Sequence, residues 1–89
     1  MPEKLTLSNG AEIAGHAQET DDVLFLYMYG ITLAEAFALL IEPENTMRIL
    51  EERGGTETVH EGFGHLYSVR EESGGMISAG IKRGVVSNG

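Results

Sequence analysis

Seven consecutive apolar side chains, Val23-Leu24-Phe25-Leu26-Tyr27-Met28-Tyr29, leave this chain few ways to fold. A β-strand turns successive side chains to opposite faces, so a run that is apolar throughout offers no face to water. The run is also far too short to cross a bilayer as a helix, which takes about 20 residues. It reads as a central strand covered on both sides, ended by Gly30.

Ahead of it, Asn9-Gly10 is the strongest turn signal, set between Lys4–Ser8 and Ala11–Ala17. A two-residue loop would set Leu7 against Glu12 and Leu5 against Ala14. A three-residue loop with Gly10 left-handed sets Leu7 against Ala11 and Leu5 against Ile13. The second keeps apolar with apolar and is preferred. Polar Gln18–Asp22 reads as a loop.

After the strand, Thr32-Leu33-Ala34-Glu35 has the form of a capping box. The helix it opens should run from Leu33 to Glu42 and stop before Pro43. On its wheel, apolar side chains from Leu39 through Ala36, Leu40, Leu33, Phe37 and Ile41 to Ala34 cover roughly 220°, whereas a helix lying on one sheet needs about 100°. Pro43–Glu52 is open to two readings. Either Pro43 opens a second helix that ends at Gly54-Gly55, with an Arg48–Glu52 pair, or Thr46–Arg53 is a strand turning back at Gly54-Gly55, with Leu50 opposite Val59 and Arg48 opposite Glu61. The strand is preferred. In Thr56–Glu71 the odd positions Val59, Phe63, Tyr67 and Val69 share a face, and Ser73-Gly74-Gly75 turns the chain so that Val69 meets Ala79 and Tyr67 meets Ile81.

These elements predict an α+β fold: an N-terminal β-hairpin, a central apolar strand, one α-helix and a C-terminal antiparallel β-meander. Residues 1–83 form one domain, and 84–89 a frayed tail. At 89 residues such a domain buries roughly 60–70 % of its unfolded surface. The chain has no Cys to supplement that core with disulfides. Met1-Pro2-Glu3-Lys4 lacks the basic flank and apolar run of a signal peptide, so a cytoplasmic location is expected, in a host cell or a virion.

The formal charge is −8, from 14 acidic and 6 basic residues. That argues against binding a phosphate backbone directly, which needs Lys and Arg to displace counterions. It leaves two uses for the acid: solubility, or imitation of nucleic acid in a basic groove.

Candidates for chemistry are sparse. His60 and His65 would share an ion only if Glu61–Gly64 were a tight turn; on a continuous strand they point apart. Glu61 and His65 flank Phe63 on the apolar face, where a Glu–His pair could do acid–base work. A pair at a core's wet end is the commoner arrangement. Glu19, Asp21 and Asp22 make an acidic loop without the alternation a calcium loop needs. Gly62-Phe63-Gly64 sits within a strand and suggests a bulge rather than a phosphate cradle. No serine has a nucleophile-elbow context. No catalytic residue, metal or cofactor is expected.

Leu5-Thr6-Leu7-Ser8-Asn9-Gly10, the apolar strand, Ile31-Thr32-Leu33-Ala34-Glu35-Ala36-Phe37, Pro43-Glu44-Asn45-Thr46 and the Tyr67-to-Ile81 meander together resemble small uncharacterised proteins. Those proteins are encoded near the tail genes of phages and prophages of Gram-positive bacteria. The resemblance covers most of the chain, and implies a virion-accessory or host-interaction role without assigning any functional residue. The expected function is non-enzymatic protein binding or assembly, with a phage-encoded acidic inhibitor of a host nuclease or defence protein as the alternative. The apolar excess of strand and helix points to a homo-oligomer or another protein as partner. The expected interface is Leu33, Ala36, Leu39 and Leu40 of the helix with Tyr27 and Tyr29 of the strand.

Overall fold

Turn chemistry builds two three-stranded units and one helix joins them. The computed structural model describes residues 3–40 and 47–83. Its elements are β1 (Lys4–Thr6), β2 (Glu12–Glu19), β3 (Val23–Tyr29), α1 (Leu33–Leu40), β4 (Met47–Arg53), β5 (Thr56–Glu71) and β6 (Ile77–Arg83). The fold is broadly α+β and dominated by strands.

The N-terminal hairpin takes the three-residue register. Leu5 lies opposite Ile13, the Leu7 N–H donates to the Ala11 carbonyl at 2.8 Å, and Gly10 has φ of 91°. Only a residue without a Cβ is comfortable there. β2 continues to Glu19 and turns back into β3, absorbing Gln18 and Glu19 that read as loop. In the second unit, Leu50 faces Val59 and Arg48 faces Glu61. From Met47 onward the strand reading of Pro43–Glu52 is therefore the one adopted. Residues 41–46, with the expected last turn of the helix, and the expected tail 84–89 lie outside the described residues.

The two units do not stack as layers. β3 pairs with β6 and β1 with β4, all antiparallel, so the sheet closes into a barrel in the order β1-β2-β3-β6-β5-β4. Closure corrects the expectation that β3 is covered on both sides. Leu24, Leu26 and Met28 fill the interior completely buried, while Phe25 and Tyr27 on the outside stay half-buried and Tyr29 is exposed. Six strands leave a bore that side chains fill, and closing it removes both sheet edges.

β3 and β4 are opposite staves of this ring, so the chain between them has to cross one mouth of the barrel. α1 makes that crossing and sends Ala36 and Leu40 into the core. Its start is the expected capping box: Thr32 Oγ1 accepts the Glu35 N–H at 3.1 Å, and Glu35 Oε1 accepts the Thr32 N–H at 2.8 Å. Thr32→Ala should cost about 1 kcal/mol, read as a lower urea midpoint at unchanged slope. An unmoved midpoint would mean the cap adds nothing to the fold.

β5 departs most from its expected pattern. Its pairing slips where Gly62, Gly64 and Tyr67 each stand as an extra residue against the neighbouring strand, and Gly62 has φ of 89°. Each bulge reverses which parity faces inward. His60 is consequently inside and Val59 outside; past Gly62, Phe63 is inside. Past Tyr67, Val69 meets Ala79 as expected, but Leu66 rather than Tyr67 faces Ile81.

Candidate functional site

The barrel has two unlike ends. At the helix end the expected interface residues divide. Ala36 and Leu40 belong to the core, and Leu39 packs half-buried against it. Leu33 is 38 % exposed and Tyr29 42 % exposed. Tyr27 stacks on His16 with ring centroids 5.0 Å apart. Phe37, one turn beyond Leu33, is 46 % exposed and was no part of the expected set. The buried stripe of α1 runs along Ala36 and Leu40, which turns Leu33 and Phe37 outward and leaves Leu39 half-buried against the core. At spacing i and i+4 those two outward side chains are neighbours on the helix surface.

The other end is polar. Toward this end the Gly15 N–H of β2 donates to the Glu3 carbonyl at 3.0 Å. Two residues on, the Ala17 N–H is instead taken by a side chain: Glu51 Oε2, from the inner face of β4, accepts it at 2.9 Å. Glu51 Oε1 lies 2.9 Å from His60 Nε2, and Glu19 Oε1 lies 2.7 Å from His60 Nδ1. Arg83 and Arg53 approach the outer oxygens of Glu19 and Glu51 at 3.3 and 3.5 Å. His60 is 5 % exposed and Glu51 6 %.

With a carboxylate at each ring nitrogen, His60 satisfies both neighbours only as an imidazolium donating two N–H bonds. Burial works to lower its pKa, but the hydrogen bonds to Glu19 and Glu51 outweigh that and raise it above 6.5. Burial likewise works to raise the Glu51 pKa, and is outweighed by the Ala17 N–H, His60 and Arg53, so the group lies below 4.5. The bond from His60 foremost, with help from Arg83, lowers Glu19 despite its partial burial. While both bonds hold, the ring has no lone pair with which to take a proton from a substrate or ligate an ion.

The remaining sequence candidates are scattered. Glu61 does not share the inner face with Phe63; it is exposed and paired with Arg48 at 2.8 Å, because the Gly62 bulge falls between them. The side chain of His65 lies outside the described residues. Glu19 leaves Asp21 and Asp22 to join the histidine. Among the described residues no group of three or more His, Cys, Asp or Glu side chains is arranged to hold a metal ion. Among the described residues, too, no helix is long and apolar enough to cross a membrane. The sequence did not single out the cluster: Ile49 and Glu51 share one parity on β4 and Leu50 and Glu52 the other, and the structure turns the first pair inward, with Ile49 opposite His60. No family model, curated protein or solved structure matches the chain.

Proposed function

We propose that this chain is a non-enzymatic, phage-like accessory protein that acts by binding or assembling with protein. The observation that carries this is the helix end of the barrel. Leu33, Phe37 and Tyr29 are each more than a third exposed, although α1 has already met its own packing needs with Ala36 and Leu40. Large apolar side chains gathered at one place on a small protein mark an interaction site more often than chance exposure. The polar end supports the same reading, since its histidine is committed to two carboxylates and serves the fold.

The charge distribution favours assembly over imitation of nucleic acid. A phosphate mimic displays carboxylates in open rows, whereas here all four arginines and Lys4 end on glutamates.

Phe37→Glu is the direct probe. Far-UV circular dichroism should be unchanged, because the site is exposed, while binding to its protein partner or to itself is lost when followed by light scattering behind a sizing column. A Phe37→Glu variant that keeps every association of the parent would overturn the proposal.

A further inference from the structure

We infer that His60 is a proton-operated latch on the polar mouth of the barrel. With its ring charged, the latch holds Glu19 across the mouth; with the ring neutral, it lets Glu19 go to water and uncovers one ring nitrogen. The latch lies at the mouth opposite α1, so it and the helix-end role proposed above stand or fall separately.

The two arms of the latch are unequal. A histidine ring has two N–H donors when charged, but one donor and one lone pair when neutral. Glu51 lies 2.9 Å from Nε2 and Glu19 lies 2.7 Å from Nδ1, so loss of one proton sets one of these carboxylates against a lone pair. The Glu51 side chain is 7 % exposed, and it keeps the Ala17 N–H at 2.9 Å and Arg53 at 3.5 Å whatever the ring does. The Glu19 side chain is 40 % exposed, and its other partner is Arg83 at 3.3 Å. Arg83 has holds of its own, on the Asp21 carbonyl at 2.9 Å and over the Phe63 ring at 4.3 Å, and has no need to follow Glu19.

The surrounding charges leave this choice unchanged. Arg53, behind Glu51, is shared with Glu3 ahead of β1. Asp21 and Asp22 offer Arg83 their carbonyls. On β5 itself Glu61 is turned out to Arg48, and on β1 Lys4 pairs with Glu12 and Glu52. Lys82 of β6 lies over Tyr67, β3 has no charged residue, and Glu35 caps α1 at the other mouth.

A buried carboxylate stripped of its donor is expensive, whereas one with water beside it leaves at little cost. The remaining proton therefore stays on Nε2, facing Glu51, and Nδ1 is the nitrogen that opens. Because the folded His60 pKa is raised above 6.5, the latch is shut below the raised value and released as pH climbs through it.

The test reads access to the ring. Diethyl pyrocarbonate acylates an imidazole lone pair that it can reach, at a rate that scales with the fraction of molecules in which the ring is open. Above the raised value, where the ring is neutral, His60 of the parent should be labelled about tenfold faster than His60 of Glu19→Gln, read by peptide mass spectrometry. A glutamine amide can donate an N–H to the bare Nδ1 where a carboxylate cannot, so that variant stays shut. Glu19→Ala, which has no arm, should label as fast as the parent. At the same pH, NMR of the ring nitrogens should find the proton on Nε2, and the amides of Leu24 and Leu26 should keep the protection factors they have below the raised value. Equal labelling of the parent and Glu19→Gln, a Glu19→Ala variant labelled as slowly as Glu19→Gln, or a proton on Nδ1 would each overturn the latch. So would protection of Leu24 and Leu26 lost in step with labelling, because the ring would then be reached by unfolding of the whole barrel.

Discussion

His60→Ala is expected to lower the unfolding free energy by about 3 kcal/mol, the lower part of the range for breaking a buried ion pair from one side. The cost comes from what is left behind. Glu51, 6 % exposed, keeps its bond from Ala17 and the distant Arg53 but loses its nearest cation, and the ring's volume becomes a void. Glu19 is 40 % exposed at its side chain and returns to water with little penalty.

The pH profile distinguishes this from simple loss of packing. Because the folded His60 pKa is raised above 6.5, its contribution is complete below that value and disappears as pH rises through the folded pKa. Because Glu19 and Glu51 are lowered below 4.5, theirs is complete above 4.5 and disappears as pH falls through their folded values. Stability from this cluster should therefore be greatest between about pH 4.5 and pH 6.5 and decline on both sides. Urea midpoints measured from that plateau upward, past the raised His60 value, should show the alkaline decline in the parent and none in His60→Ala. A parent equally stable on both sides of the raised value would show that the ring is held neutral.

Gly15→Ala should be at least as damaging, at about 3 kcal/mol by comparison with the upper range for overpacked cores. Gly15 is on β2 opposite Met28, and a Cβ there would collide with the Tyr27 carbonyl oxygen and press on the Met28 Cα at 3.1 Å. Neither neighbour is a side-chain tip that can swing aside; both are backbone of the paired strand, so β2 and β3 would have to part. Gly10→Ala is the control. Its Cβ would meet nothing within 4 Å, so only the positive φ is penalised, at about 1 kcal/mol. Equal midpoints for the two variants would show that β2 and β3 separate freely at Gly15.

Much of the local structure was legible in the sequence because it rests on contacts a few residues apart. The register at Asn9-Gly10, the Thr32–Glu35 box and the Leu50–Val59 pairing are all of this kind. Closure was not legible, since nothing in β1 or β6 names β4 or β3 as its partner. The failure along β5 has a specific cause. Strict alternation over its sixteen residues puts Val59 and Tyr67 on the inner face with Phe63, whereas three bulges reset it, turning His60 inward and Tyr67 outward. Gly62 and Gly64 mark bulges in the sequence, and the parity reversal at Gly62 is what puts even-numbered His60 on the same face as odd-numbered Phe63. On β4 both parities hold one aliphatic residue and one glutamate beside it, Ile49 with Glu51 and Leu50 with Glu52, so the pattern could not say which glutamate is inside.

The two three-stranded units have a consequence for how the chain reaches this state. Four of the six strand pairings join neighbours in sequence: β1 to β2, β2 to β3, β4 to β5 and β5 to β6. Each of these can form early from its own turn. The other two seams join residues such as Leu5 with Glu51 and Leu24 with Ile81, and a loop of dozens of residues must be closed before either yields a contact. Contacts so distant along the chain slow folding more than they affect stability. The topology thus places the slow step at the meeting of two preformed halves, with the β1–β4 seam, three residue pairs long, as the shorter of the two that must hold.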